Sequence, residues 1–598
     1  MPEEIVEAKG LTEPEQVQVI SEAKTALTQK WTARNTQMEK DREVLNIIKQ
    51  KVTTDKPKWY TNEHKVFFDT ARAMVSQRFP IFKLPMVLNP SPEQKKKMNK
   101  TERFIIGIYR ALNERVYSMG GLSWQYDLAY WVLLGWVSCF GIVEKTADGV
   151  QFRADLWDTK NVYPEWDDSG MKRCVRAYEV DDAVAKELAR KWQSKGLKFQ
   201  YQKPKDGFKP EVVNYWLRTM DGEAPKIWNG ILLNGVLAKP ITLQKNLRRI
   251  PIHVGAVGSP DRTSPGWEER QGESVLYANR DMIDYRNTMI SLYAEIVAET
   301  AYPNVVTKTR TGQPPFQEGS LKGHGSEINL KLEDQVELLK HAATPQEAAV
   351  LLTWLGQRLS EGFFPPPVYG MSQYDQSGFA ISQLLAAVQN RIGANVKLME
   401  MSIAYILMDL LYQYKAGKFP KVTLSTTDPH SLKRGMFYLE EFSHEDIPDR
   451  LYVETKIPIA TQFDKTQQIL NAKQALTPPQ IYSLETIWEM DDTIQDFDVE
   501  WERIVQDRVR QDPFVISMDI VSGLWERYEA LKTNPNTQQA AEALKKYILI
   551  KEMQIGMRQG IPVSPNGGQS ISPNQMPPEM TMSPNPDQAR AMQGQPPP

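Results

Sequence analysis

From residue 273 to residue 300 the apolar side chains come as adjacent pairs, Val275/Leu276, Met282/Ile283, Met289/Ile290 and Ile296/Val297, each seven residues after the one before. Asn279, Arg280, Asp284, Asn287 and Glu295 stand between them. The spacing predicts one helix held through successive heptads. At 1.5 Å per residue it would be roughly 42 Å long, more than one small core can bury, so it needs neighbours along its length. Paired apolar positions make a stripe about 100° wide, suited to more than one partner helix.

After Thr300 the pattern breaks. Pro303, Gly312, Pro314, Pro315, Gly319, Gly323 and Gly325 punctuate a stretch with strand-like runs at 304–309 and 327–331 and an apolar run at 336–339. From Pro345 a second helix resumes through Ala348, Ala349, Leu351, Leu352, Leu355 and Leu359 and stops at Gly362. A stiff turn follows, Phe363-Phe364-Pro365-Pro366-Pro367-Val368-Tyr369-Gly370, then a polar loop over 371–377. Ser377 is the candidate N-cap of a long helix reaching about Lys415, and Gly393 is its candidate kink.

Before this middle third, residues 1–60 read as a polar leader with a helix over about 15–51, highly charged, with a thin apolar face and a loose hold on the rest. Helices are predicted over 60–77 and 101–117, with Lys95, Lys96, Lys97 and Lys100 in a solvated loop between them. The uncharged stretch 128–143 is shorter than the roughly 20 residues of a membrane span and reads as a buried helix followed by a strand. Period-two runs at 137–144, 151–156, 175–180, 212–218 and 227–233 predict strands, with a helix near 182–195. Asp155, Asp158, Glu165, Asp167 and Asp168 form a carboxylate cluster able in principle to hold a hard cation, although a turn-rich surface loop explains them better. Beyond residue 415, strands are predicted at 422–425 and 451–457, and helices at 464–476, 484–490, 499–509, 514–532 and 538–553. The tail after Met557 has no aromatic residue and is rich in Pro, Gly, Gln, Ser and Asn, which predicts disorder.

The order helix, β excursion, helix, Pro-rich turn, polar loop and long helix resembles that of the tailed-phage portal proteins, the head-to-tail connectors through which DNA is packaged. Pro366-Pro367-Val368-Tyr369-Gly370 followed by Ser377-Gly378-Phe379-Ala380 is similar to the passage that enters the long helix of many portals. The run from Leu156 to Glu165 resembles the D-x-x-N-V-x-P strand and turn of portal wings, with Thr159 where a Pro usually follows the first Asp. The resemblance implies an α+β, mostly helical fold. Its parts would be an N-terminal arm (1–60), an α/β wing (61–272), stem helices (273–301 and 345–362), a small β-rich clip (302–344), a tunnel loop (363–377), a long helix with returning wing (378–490), a helical crown (491–556) and a disordered tail (557–598).

It also implies a homo-oligomeric ring of about twelve subunits at a capsid vertex, assembled in the host cytoplasm and built on the stem pairs named above. Double-stranded DNA would pass through its channel during packaging and ejection, touching Met371, Gln373, Tyr374 and Gln376 of the tunnel loop. The clip, through Lys308, Arg310, Lys322 and Lys331, would meet the terminase large subunit and later a head-tail adaptor. The major capsid protein and a scaffold would be further partners.

The chain has 598 residues and a net charge of -2. Tight nucleic-acid binders carry a basic excess, so any DNA contact should be weak enough to let a duplex slide. Cys139 and Cys174 are too few for a disulfide framework, and a reducing compartment is expected during assembly. The leader shows no signal-peptide core, and membrane insertion is not expected. No phosphate-cradling G-x-x-x-x-G-K-[ST] stretch, H-E-x-x-H or C-x-x-C is present, and the six histidines lack ligand spacing. No cofactor, metal site or catalytic residue is expected, and a translocating ATPase would have to be a separate protein. Outside the resemblance, a cytoplasmic helical scaffold or adaptor without a DNA channel fits the same helices; an enzyme built from scattered residues is a third reading.

Overall fold

The structure, a computed structural model, describes residues 11–47, 59–85, 91–146, 149–194, 199–204, 207–221, 224–258, 271–301, 305–308, 335–338, 346–364, 378–427, 438–458, 504–505, 509, 513–532 and 538–558. The chain divides into two compact units, Met1–Phe497 and Asp498–Pro598. It is a mixed α+β protein in which helix outweighs strand, with several small antiparallel sheets.

The first unit begins with two helices, α1 (Glu13–Lys30) and α2 (Thr32–Leu45). They are not a loose arm. Ile20, Leu27, Trp31, Met38 and Leu45 are all buried. The apolar face is thin in number but built of large residues, and burying each is worth roughly 1.5–3 kcal/mol. Next come α3 (Glu63–Ser76), the short strand β1 (Ile81–Lys83) and α4 (Pro92–Ser118). The lysine run expected in a loop lies in the first turns of α4. Ser91 and Gln94 close a reciprocal capping box at 3.2 and 3.0 Å with Pro92 at the first helical position, and that starts the helix ahead of the lysines.

The uncharged stretch folds as α5 (Trp124–Leu133) followed by β2 (Trp136–Thr146), with Gly135 at φ +89° turning one into the other. β2 pairs with β3 (Gly149–Leu156). The chain then forms a five-stranded antiparallel meander of β4 (Val162–Asp167), β5 (Gly170–Glu179), β6 (Glu211–Asp221), β7 (Ala224–Leu233) and β8 (Val236–Gln244), with α6 (Asp182–Ser194) inserted after β5. Alternation along β6 sends Val213, Tyr215 and Leu217 to the α1–α2 side and Val212 to the α6 side. This sheet is therefore covered on both faces. β9 (Ile252–Ala256) returns to the free side of β2 and completes a three-stranded sheet.

The hairpin expected as the stem follows, made of α7 (Arg280–Ala301), the strand pair β10 (Val305–Lys308) and β11 (Gln335–Leu338), and α8 (Gln346–Gly362). Then α9 (Gly378–Ala416) runs as one continuous helix through Gly393. It lies against α5, β2 and β9, and Ile392, Met399, Ile403, Leu407, Leu410 and Tyr414 enter the main core. β12 (Val422–Thr426) and β13 (Tyr438–Phe442) form a ribbon on α4, and β14 (Glu454–Lys456) pairs back with β1. Phe442 stacks on Phe104 with centroids 4.7 Å apart, tying the returning chain to α4.

In the second unit α10 (Pro513–Lys532) and α11 (Gln538–Arg558) pair as helices, and Trp525 Nε1 donates to Glu552 at 2.8 Å. The strand expected at 327–331, the helices expected at 464–476 and 484–490, most of that at 499–509, and the tail after 558 lie outside the described residues.

Candidate functional site

The stem hairpin is the candidate site, and its root is built first. The heptad pattern predicts a helix from residue 273, yet α7 begins at Arg280, after a 3-10 turn at Tyr277–Asn279. Close packing sets that start. Gly272, at φ +75°, lies against the indole of Trp136, and a Cβ there would be 1.6 Å from its Nε1. Gly135 approaches the carbonyl of Gly272 equally tightly, its Cβ position 2.1 Å from the oxygen. The chain is pinned at this crossing and turns helical only beyond it. At the far end of α8, Gly362 sits where a Cβ would be 2.1 Å from Asn279 Nδ2, so the two helices converge on one turn.

Charged groups secure the root. Nη1 of the half-buried Arg280 meets the buried Asp41 of α2 at 3.1 Å. Burial raises the Asp41 carboxyl above its ordinary value even though Ser274 and Arg280 pull it down. Arg286 donates to Glu63 at 2.8 Å, Thr61 N to Asn287 Oδ1 at 3.0 Å and Trp59 N to Ser291 Oγ at 2.9 Å. His64 donates through Nε2 to the Val44 carbonyl at 2.8 Å, and burial lowers its pKa. Arg391 of α9 donates to the carbonyls of Glu361 and Phe363, capping the last turn of α8 with a cation. Phe363 and Phe364 close over Phe67 with centroids 5.0 and 4.6 Å away.

Along the hairpin, burial falls from root to tip. Leu276 and Ile283 are buried, with Val275 and Met282 packed against the same core, so the first two heptad pairs serve this chain's own interior rather than a neighbour. Met289, Ile290 and Ile296 are half-buried, and Val297 is 45% exposed. The large exposed apolar residues are Tyr285 and Leu292 on α7 and Val350 (68%) and Trp354 (47%) on α8. Sequence periodicity passed over these four because they fall between the paired positions or off the stripe ending at Leu355 and Leu359. The signal was present as apolar residues on the flank of each helix. An open hollow of about 640 Å³ beside α8 is lined by Glu347, Val350, Leu351 and Trp354.

Of the expected clip contacts, Lys308 lies on β10 opposite Gln335. Arg310, Lys322 and Lys331, and all of Met371, Gln373, Tyr374 and Gln376, lie outside the described residues. Four of the five carboxylates of the cluster, all but Asp168, are taken up by arginines. Asp155 pairs with Arg115 at 2.6 Å and also with Arg153, Asp158 with Arg42 at 2.6 Å, Glu165 with Arg173 and Asp167 with Arg218. Among the described residues no group of three or more His, Cys, Asp and Glu is placed to hold a metal ion, and no helix is long and apolar enough to cross a membrane. Both cysteines are buried and unbonded, and burial pushes the Cys174 thiol up to about 12. No protein-family model matches this sequence, and comparison with curated proteins finds no match.

Proposed function

We propose that this chain is the subunit of a closed homo-oligomeric ring serving as a phage portal, through which double-stranded DNA is packaged and ejected. The observation that carries this reading is the stem hairpin, fixed at its root by buried contacts and apolar on the outside of both helices towards its tip. An exposed apolar face of this kind marks an interaction surface. The two exposed sets differ, Tyr285, Leu292 and Val297 on α7 against Val350 and Trp354 on α8. A contact joining unlike patches is head-to-tail, and repetition of such a contact closes into a ring when its rotation permits. The segment order of the stem, the long helix and the returning strands supports the same reading.

In this role the protein does no chemistry of its own. A separate terminase supplies the energy, and the clip around β10 and β11 docks it before an adaptor replaces it. A chain with net charge -2 holds DNA loosely enough for transport. Light scattering on the purified full chain tests the proposal. A ring gives a particle about ten to fourteen times the 68.4 kDa chain mass, with a central hole in negative-stain images. A monomer or small oligomer under all assembly conditions points instead to a helical scaffold.

A further inference from the structure

The overall acidity of the chain conceals one strongly basic segment. Residues 181–209 carry eight Lys and Arg against four Asp and Glu, a surplus of four in a chain whose total is -2. The segment starts on α6, whose inner side, Ala185 and Ala189, packs on Val212, Leu233 and Ala238 of the five-stranded sheet. Its outer side is therefore a surface of the molecule. Lys186, Arg190 and Lys191 are exposed on the helix. Asp182 and Glu187 are the helix carboxylates that share this face. For Arg190 and Lys191 no ion pair occurs among the described residues. Lys186 holds Asp182 at 2.7 Å and Lys209 holds Asp181 at 3.2 Å, both in solvent, where such pairs are worth only about 0–1 kcal/mol and yield readily to a stronger anion.

We propose that the outer face of α6 is a contact site for the phosphate backbone of duplex DNA, made by Lys186, Arg190 and Lys191 with Lys209 at the helix's leading end. Charge complementarity selects a polyanion. The segment's aromatic rings then decide which polyanion. Trp192, Phe199 and Tyr201 are half-buried against the α6 core, Trp192 and Phe199 with centroids 6.1 Å apart, and so offer little free face for stacking on bases; Phe208, 75% exposed beside Lys209, is a single open ring rather than a row of them. A single strand gains much of its affinity from such stacking, whereas a duplex presents denser charge and needs none. An acidic protein partner would want a dry apolar centre, and on this helix only Val184 is a large exposed apolar residue. The inference does not depend on ring formation.

The test is a titration of a short labelled DNA duplex with the full chain at several salt concentrations, beside R190E/K191E, R190Q/K191Q and, as a control of equal charge change, K95E/K96E on α4. Loss of two phosphate contacts should weaken binding at low salt by tenfold or more and flatten the slope of log affinity against log salt by about two, since each contact contributes about 0.9. The glutamine pair should show most of this effect and the α4 pair none of it. Circular dichroism and light scattering check that each variant folds and assembles like the parent. Unchanged affinity and slope in the α6 variants, equal losses in the α4 variant, or displacement of DNA by poly-glutamate at matched charge would each overturn the proposal.

Discussion

Gly272 has neither the backbone angle nor the space for a side chain, because φ is +75° and the Trp136 indole occupies the Cβ position. Gly272→Ala should destabilise the fold by at least about 3 kcal/mol, read as a lower denaturant midpoint, since strain and overlap add. An alanine variant of parent stability would mean that this crossing does not fix the start of the stem. His253 is informative in another way. Its Nε2 bonds to Ser402 Oγ at 2.9 Å and its ring lies 4.6 Å from that of Tyr405, and burial with Arg249 nearby pushes its pKa down to about 3. A histidine depressed in the fold binds its proton in the unfolded chain first. Its contribution is complete above about pH 6.5 and is lost as pH falls from there towards 3, at on the order of 1 kcal/mol per pH unit. Urea midpoints measured across that range should fall more steeply for the parent than for His253→Gln. Equal slopes would refute the assignment. Neither residue announced its role in the sequence, because glycine and histidine take their meaning from what is folded against them.

Helices and strands were largely legible, since amphipathic period and turn residues are local properties. Three of the five meander strands, β5, β6 and β7, lie where the pattern predicts them, as do α5 followed by β2 and the long α9, whereas β4 and β8 were not predicted as strands. Several elements were misjudged for reasons that can be named. Counting apolar residues undervalued α1 and α2, where Trp31 alone donates to the Pro164 carbonyl at 2.9 Å, meets Trp136 and Trp166 edge-on, and lies under the Arg34 guanidinium. Trp31→Ala should cost about 3–5 kcal/mol and expose the arm to limited proteolysis; a variant as protease-resistant as the parent would restore the loosely held arm. The heptad pattern likewise extended the stem helix backwards through Val275 and Leu276, which the crossing at Gly272 holds in a turn. Arg280→Ala, which leaves Asp41 buried without its cation, should cost about 3–5 kcal/mol, with much of it regained in a double variant that also replaces Asp41 by Leu. Thermal unfolding of the two variants separates a lost ion pair from a lost helix start.

At the level of the whole molecule, the root of the stem is a finished core and its outer half is not. If the exposed set on α7 meets the set on α8 of the next subunit, Leu292→Glu or Trp354→Glu should shift the particle from ring mass to subunit mass while circular dichroism stays that of the parent. A variant that keeps the ring would move the subunit contact elsewhere. The same view explains the balance of charge. Arginines of the first unit are matched by carboxylates within the chain, Arg42 with Asp158, Arg115 with Asp155 and Arg249 with Asp409, so a net charge near zero reflects internal pairing rather than an even surface.

The order of segments, the alternation of the strands and the existence of a long apolar stem were determined by sequence alone, because each depends on neighbours a few positions away. Which stem residues face inward was decided only by the tertiary structure, as were the start of α7 at Arg280 and the pairing of the wing carboxylates with arginines. Those outcomes depend on residues hundreds of positions apart meeting at contact distance, and a linear pattern carries no measure of that distance.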